Sequence, residues 1–395
     1  MLLSTTPMVV LHLISRYRWT GSAEPAVTLC ATLAKAGVDA RLCCIPGESL
    51  EREAAARGVS NFPYARLDRN YTPWGILSTA RGLARAVERE SIDLIHAHTQ
   101  HDHWLAALAL SYFARRSCKL VRSHHEIRHI RAGRVWRRIF NRDTAMNLTP
   151  SRAAREHFIA SGAMLPDKVR TIYGGLDLSR FRVSGATSAV RQAWGVPPEA
   201  PLIAHLSHVG PDRRQSEMLE AFALLSDELP QARLVFLGQG NKSTVGELKE
   251  VVVRRGLEAR VGFSKDHASL HLPWPDQVAA ADRVVVLAVG SEGSSRGVME
   301  AMAMGRMVIG ARVGVLPELI EEGRTGMLVE PEPLSIAGAL RASFADAAGA
   351  AAMGSAAAAV IRTRFRCERQ AEEVQALYRE LLGRETPAAR TAGSR

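Results

Sequence analysis

Short apolar runs alternate with stretches of helical period along most of this chain, and the alternation occurs twice. In the first series Val9–Ile14 precedes a helical stretch over Ala26–Ala36, Ala40–Ile45 follows, Leu94–Ala97 precedes His103–Phe113, and Lys119–Ser123 closes the set. Runs of this length suit strands buried on both faces, and the periodic stretches between them suit the covering helices. Parallel strands need a long crossover, so the alternation points to parallel sheet. A second series, Leu202–Leu206, Arg233–Leu237, Arg283–Val289 and Met307–Ala311, repeats the pattern. The expected fold class is therefore α/β, with two Rossmann-like doubly wound parallel-sheet domains, and 395 residues are enough for two or three domains. The Gly- and Ser-rich segment "GGLDLSRFRVSGATSA" reads as the joint, giving domains 1–182 and 183–362. The Ala-rich stretch Ala345–Val360 reads as helix, since Ala is the best helix former. An amphipathic helix, Arg369–Leu382, lies within 363–383 and is expected to pack back toward the first domain, followed by a disordered polar tail over 384–395.

Composition narrows the class. With 47% hydrophobic and 23% charged residues the chain is a soluble globular one, which excludes collagen, coiled coil and disorder. The apolar run Trp104–Ala114 is about half of the ~20 residues a spanning helix needs. The start "MLLSTTPMVVLHLIS" has no basic n-region or small-residue cleavage site, so a cytoplasmic location is expected. Cys30, Cys43, Cys44, Cys118 and Cys367 form no Cys-x-x-Cys pair and read as core thiols.

The net charge of +11 is unevenly placed. Residues 1–180 hold 26 Lys/Arg against 15 Asp/Glu, and the remainder holds 25 of each. Ten basic residues and one acid fall between Arg115 and Arg142, where "RHIRAGRVWRRIFNRD" interleaves Arg with apolar side chains. This reads as a basic amphipathic helix presenting Arg128, Arg131, Arg134, Trp136, Arg137 and Arg138. Such a face suits an anionic membrane surface, a phosphorylated glycolipid or nucleic acid; a merely solvated helix face is the alternative.

The densest signal is "VVVLAVGSEGSSRGVMEAMAMGRMVIGARVGVLPELIEEGRTGMLV", which reads as buried strand, loop, helix closed by Gly305, strand and turn. Ser294 and Ser295 stand where an N-cap belongs, and the amides of the following turn make an anion site suited to a nucleotide diphosphate. Glu300, further into the helix, can accept both hydroxyls of a ribose through its two oxygens, and Glu292 lies before the helix, nearer the phosphate end. In the first domain "LVRSHHEIRH" ends a buried strand in two histidines, where open α/β sheets place ligands.

The long segment resembles the donor-binding core of family 4 of the retaining nucleotide-sugar glycosyltransferases, with Glu292 and Glu300 at that family's Glu-x7-Glu spacing and with "EAMAMG", "PEL" and "GRTGMLV" following. Other pieces match in order from about residue 9 to 330: "TGSAEPAVTLCATLAKAG", "DLIHAH", "NLTPSRAAREHF", "KVRTIYGGLDLSRF" and "AAADRVVVL". The resemblance implies a GT-B fold, two Rossmann-like domains facing a cleft, and a retaining, metal-independent hexosyl transfer from a nucleotide-diphosphate sugar to a glycan or glycolipid, as in cell-envelope polysaccharide or lipopolysaccharide assembly. It implies catalytic roles for His125, Glu292 and Arg213, with Glu292 holding donor-sugar hydroxyls. It implies a donor site of Gly21, Ser22, His208, Arg213, Glu292, Gly293, Ser294, Ser295, Gly297, Val298 and Glu300, to which Glu24 adds. Where the family has an Arg and a Lys five residues apart this chain has His208 and Arg213, so His208 must be protonated or Arg214 must substitute. Val315 stands in place of a second glycine.

The partners expected are a nucleotide sugar, a glycan or lipid-linked acceptor and an anionic membrane surface, with docking on the inner face of the membrane, no nucleic acid and no cofactor. His96, His98, His101 and His103 offer a metal or an imidazole-lined acceptor site; lacking Cys and well-spaced carboxylates, they read as acceptor lining, with no metal. No Asp-x-Asp occurs to hold a divalent ion against the diphosphate. An NAD-dependent oxidoreductase lacks its Gly-x-Gly-x-x-Gly here. A nucleotide-sugar epimerase of the same fold and a non-catalytic descendant remain as alternatives.

Overall fold

Among the described residues twelve strands form two wholly parallel six-stranded sheets. The computed structural model describes residues 8–17, 23–63, 67, 72–125, 133–210, 213–238, 240, 242–264, 271–287 and 292–384, with backbone only at 242 and 292–295. The first sheet takes β1 (Val9–Ile14), β2 (Asp39–Cys44), β3 (Leu94–Ala97), β4 (Lys119–Ser123), β5 (Met146–Thr149) and β6 (Val169–Thr171) in the order β2-β1-β3-β4-β5-β6. The second takes β7 (Leu202–Leu206), β8 (Arg233–Leu237), β9 (Val261–Phe263), β10 (Arg283–Val286), β11 (Met307–Ala311) and β12 (Met327–Val329) in the order β12-β11-β10-β7-β8-β9. Both are doubly wound, so strand order reverses between β1 and β3 in one and between β7 and β10 in the other. Loops leaving the carboxyl ends of such a pair diverge to opposite faces and leave a crevice for ligands.

The chain divides into two compact units, residues 1–175 with 367–395, and 176–366. The boundary thus falls at Gly175–Leu176 and not near 183. The Gly- and Ser-rich segment is no free linker: Leu176 is fully buried and its amide donates to the Phe365 carbonyl. Further on, the Asp276 carboxylate accepts from the Ser184 and Ala186 amides at 3.0 Å and from the Ser184 hydroxyl at 2.9 Å. The last helix, Cys367–Leu382, belongs to the first unit. Its Ala371, Val374, Leu377 and Tyr378 pack with Val10, Leu29, Leu33, Leu94 and Val121. Each fully buried Leu or Val contributes about 1.5–3 kcal/mol. At its end Glu380 accepts a fork from Arg170 at 2.8 and 2.9 Å.

Residues 128–132 of the basic stripe lie outside the described residues, and Gly133 is extended, so the described helical stretch begins only at Arg134. A five-residue α-turn, Arg134–Arg138, runs into a π-turn, Ile139–Asp143, which drops Phe140 into a cluster with Phe158, Met164 and Val169. Among the described residues no single helix is long and apolar enough to cross a membrane; the pair Pro333–Ala345 and Ala347–Arg364 is bent by 102°. Cys30, Cys43, Cys44 and Cys367 are buried free thiols, and burial raises Cys30 to about 12.

Candidate active site

In the second unit β7 leads into Ser207, His208, Val209 and Gly210, where the crevice is expected. Buried Gln215 fixes this loop by donating from Nε2 to the His208 carbonyl and the Ser207 hydroxyl, both at 3.1 Å. The His208 side chain is exposed and Arg213 is half-buried. Arg214, in the left-handed region at φ 60°, pairs with Glu217 at 2.6 Å. The loop after β8 lies directly on this one: a Cβ on Gly238 would stand 2.1 Å from the Ser207 carbonyl oxygen. Beside them is a cavity of about 290 Å³ lined by Val209, Gly210, Arg214, Gln215, Thr244 and Glu247 among others.

The helix of the dense motif spans Glu292–Ala303, so Glu292 opens it and Ser294 and Ser295 lie inside it, three and four residues after the N-cap position. The first-turn amides of a helix have no intrahelical acceptor, and among the described residues these belong to Glu292, Gly293 and Ser294. Gly297 lets the helix lie on β7: a Cβ there would meet Leu206 at 3.0 Å. Val298 is fully buried, so its side chain is core and not ligand surface. Glu300, only 7% exposed, accepts from the Trp274 indole N–H at 2.7 Å and from Arg296 Nε at 2.8 Å. Gly305, at φ 71°, ends the helix; its amide donates to Met302 and that of Arg306 to Ala301, the Schellman pairing. Val315 adopts ordinary right-handed backbone, so the missing glycine strains nothing.

In the first unit the histidines form a buried network that the spacing in sequence does not show. His12, in the middle of β1, sits beside His96 on β3, and His98 follows two residues on. His12 Nδ1 lies 3.0 Å from His98 Nε2, and His98 Nδ1 lies 3.1 Å from His125 Nε2. His96 bridges the Tyr378 hydroxyl and the Ser123 hydroxyl, the latter at 2.7 Å. Burial holds His12 and His125 down at about 3, and holds His96 and His98 well below the usual imidazole range, aided by their neighbours' charge. The His12, His96 and His98 rings, with His103 bonded to Thr144, are core; they do not line an open acceptor site. His101, on the helix Gln100–Tyr112, meets the Ser15 hydroxyl at 3.3 Å. Ligating nitrogens of His12, His96 and His98 do lie within 4.8 Å of one another. The pair at the end of β4 separates cleanly: His124 packs on Phe158 and bonds Asn147, whereas half-buried His125 caps the imidazole row.

Beneath this row Asp102 is fully buried. It accepts from the Ser15 amide at 3.0 and 3.2 Å and from the Thr99 hydroxyl at 2.7 Å. Burial pushes its carboxyl up, but the bonds from His101, Ser15 and Thr99 outweigh this and hold it low. On the surface Arg134 is exposed, Arg137 Nε donates to the Gly162 carbonyl at 2.9 Å, Arg138 pairs with Asp143 at 3.3 Å, and Trp136 stacks on Phe140. Gly21, Ser22, Arg128 and Arg131 lie outside the described residues. Sequence reasoning missed His12, Trp274, Gln215 and Tyr378. Only His12 carried a signal, as a lone polar residue inside the apolar run "VVLHLI".

Residues 19–180 match the family model described as Glycosyltransferase Family 4, and residues 200–346 match that described as Glycosyl transferases group 1. The chain belongs to glycosyltransferase family 4. This family 4 enzyme is 28% identical over 349 residues to a D-inositol 3-phosphate glycosyltransferase of Streptomyces scabiei, covering 80% of this chain and 74% of that protein. It is 24% identical to the N-acetyl-alpha-D-glucosaminyl L-malate synthase of Bacillus anthracis, over 79% of this chain and 81% of the relative. Among solved structures, Anabaena HepE in complex with UDP-glucose superposes with a TM-score of 0.77 at 25% identity, over 94% of this chain and all of that one. Two Rossmann-like units of this kind are the GT-B fold, and the protein is a glycosyltransferase rather than an epimerase or an inert descendant.

Proposed function

We propose that the enzyme moves a sugar from a uridine diphosphate sugar to an acceptor carrying an anionic group, with retention at the anomeric carbon and without a divalent metal. The observation that carries the reading is Glu300, a buried carboxylate eight residues after the start of a helix whose first-turn amides suit a diphosphate. Trp274 and Arg296 hold the Glu300 carboxylate in place, and a carboxylate can accept both hydroxyls of a ribose through its two oxygens. Arg213 supplies charge to the departing diphosphate, with His208 at the edge of the same loop. Glu292 takes donor-sugar hydroxyls, and His125 hydrogen-bonds the donor sugar near the reacting carbon. The UDP-glucose in the Anabaena structure supports uridine as the base.

The names of the two relatives put a phosphate or a carboxylate on the acceptor, and the +11 excess within residues 1–180 fits such an anion. A second reading, a lipid-linked glycan of cell-envelope polysaccharide or lipopolysaccharide type at an anionic membrane, is favoured by Val135, 69% exposed beside Arg134. Incubation in EDTA with UDP-glucose and UDP-N-acetylglucosamine, offered inositol phosphate, malate or lipid-linked glycan in anionic vesicles, tests both. UDP release with a product of unchanged anomeric configuration by proton NMR is expected with a soluble anion. Transfer only in the vesicle arm supports the second reading. Inversion, or activity that returns only on adding Mn²⁺, contradicts both.

A further inference from the structure

We propose that the buried imidazole chain His12–His98–His125 fixes the tautomer of His125, so that this residue meets its substrate as a neutral Nδ1–H hydrogen-bond donor, with His98 as the positioning residue. The inference rests on the role of His125 given above and deepens it. Strands β1, β3 and β4 are neighbours, and the period of two places His12, His96 and His98 on one sheet face. The rings of His98 and His125 stack at 5.4 Å with 21° between planes, and those of His12 and His98 at 5.3 Å with 13°.

The direction of the chain follows from its buried end. A neutral imidazole has one N–H and one lone pair, and His98 uses both nitrogens on other imidazoles. Only two arrangements are then possible. In one, His125 Nε2–H donates to His98, His98 donates to His12, and His12 is left with its own Nε2–H. His12 Nε2 is buried and has no hydrogen-bond partner among the described residues. A stranded buried N–H costs more than a stranded lone pair. The second arrangement strands only the lone pair: His12 Nδ1–H donates to His98 Nε2, and His98 Nδ1–H donates to His125 Nε2. The proton of His125 then resides on Nδ1, the nitrogen outside the chain. That polarity suits a group that donates to an oxygen of the bound sugar or of the departing diphosphate, and it excludes His125 Nε2 as a base.

The spacing also separates this network from a metal centre. In imidazoles 3.0–3.1 Å apart along one line, the lone pairs of His98 Nε2 and His125 Nε2 are filled by the preceding ring's N–H, and only that of His12 is left. Three zinc ligands would instead aim their lone pairs at one point about 2.0–2.1 Å from each nitrogen.

Long-range ¹H–¹⁵N correlation spectra of the histidine-labelled full chain read the tautomer directly, with the His125 signals assigned by their loss in His125→Gln. The expected pattern is Nδ1–H at His125 and at His98. His98→Leu should lower kcat at least tenfold while leaving the UDP dissociation constant within twofold. In His98→Asn the amide can stand in for Nδ1 and donate to His125, and activity should return to within about threefold of wild type. An Nε2–H tautomer at His125, full kcat in His98→Leu, or stoichiometric zinc in the purified protein would each overturn the proposal. Full activity in His125→Gln would instead overturn the role of His125 itself, whatever tautomer the spectra show.

Discussion

A buried carboxylate must be met by donors, and those that meet Glu300 include Arg296, one turn earlier on its own helix, and Trp274, from the helix Trp274–Ala279. The Arg–Glu pair at i,i+4 is legible in sequence, as is the spacing to Glu292; Trp274 becomes a partner only when the fold brings it there. Trp274→Phe keeps the aromatic bulk and deletes the N–H. Losing a hydrogen bond to a charged group costs about 1.5–3 kcal/mol when the group has no other partner, and Arg296 remains, so UDP affinity should fall about three- to tenfold with little change in melting temperature. Calorimetric titration checks it, and unchanged affinity would mean that the indole only fills space. The histidines teach the same lesson. "DLIHAH" shows that His96 and His98 share a face, but their partners His12 and Tyr378 lie 84 and 282 residues away from His96, a relation that no local spacing encodes.

Elements were legible where burial is complete and illegible where hydrogen bonds substitute for it. β1, β7, β8, β10 and β11 are runs of four to six residues that read as strands because nearly every side chain is apolar and covered. β5, β6, β9 and β12 have only three or four residues, and the first three of these carry Asn147 and Thr149, Arg170, and Gly262. β5 shows what holds them instead: Asn147 Nδ2 donates to the Phe140 and Lys168 carbonyls at 2.9 and 3.0 Å while its Oδ1 faces His124. The same local chemistry acts in the basic stripe, where Phe140 is drawn into the core and Arg137 onto the Gly162 carbonyl. Loops obey steric rules that sequence states only as a glycine. Gly238 sits at φ 159° with the Ser207 carbonyl where its Cβ would be. Gly238→Ala should therefore destabilise the second unit by about 1–3 kcal/mol and displace the loop of His208. A lowered melting temperature with weakened UDP binding is expected, and an alanine variant as stable as wild type would show that the two loops do not touch.

At the scale of the whole chain, the two units differ in what they bury. Among the described residues the first holds six imidazoles whose pKa values are depressed mainly by burial, namely His12, His96, His98, His103, His124 and His125, and the second holds one, His205. An unfolded chain takes up these protons as pH falls below ~6.5, and the folded unit does not. Their contribution is therefore intact above ~6.5 and is lost progressively toward the folded values, about 3 for His12 and His125. Each group contributes about 1 kcal/mol per pH unit in that window, so six approach the whole stability of a domain within one to three units. Hydrogen exchange read by mass spectrometry should show residues 1–175 opening near pH 5 while 176–366 stays protected. Uniform loss across both units would contradict this. The division was legible in the doubled alternation of strands and helices, although the joint fell seven residues early because Leu176 is bonded into the second unit. In the function proposed above, the second unit holds a uridine nucleotide around Glu300 without a divalent metal. Isothermal titration of the full chain with UDP in EDTA tests it most directly: wild type should bind, and Glu300→Ala should bind about ten- to a hundredfold more weakly. Equal affinity in the two proteins, or binding that appears only when a divalent ion is added, would contradict the account.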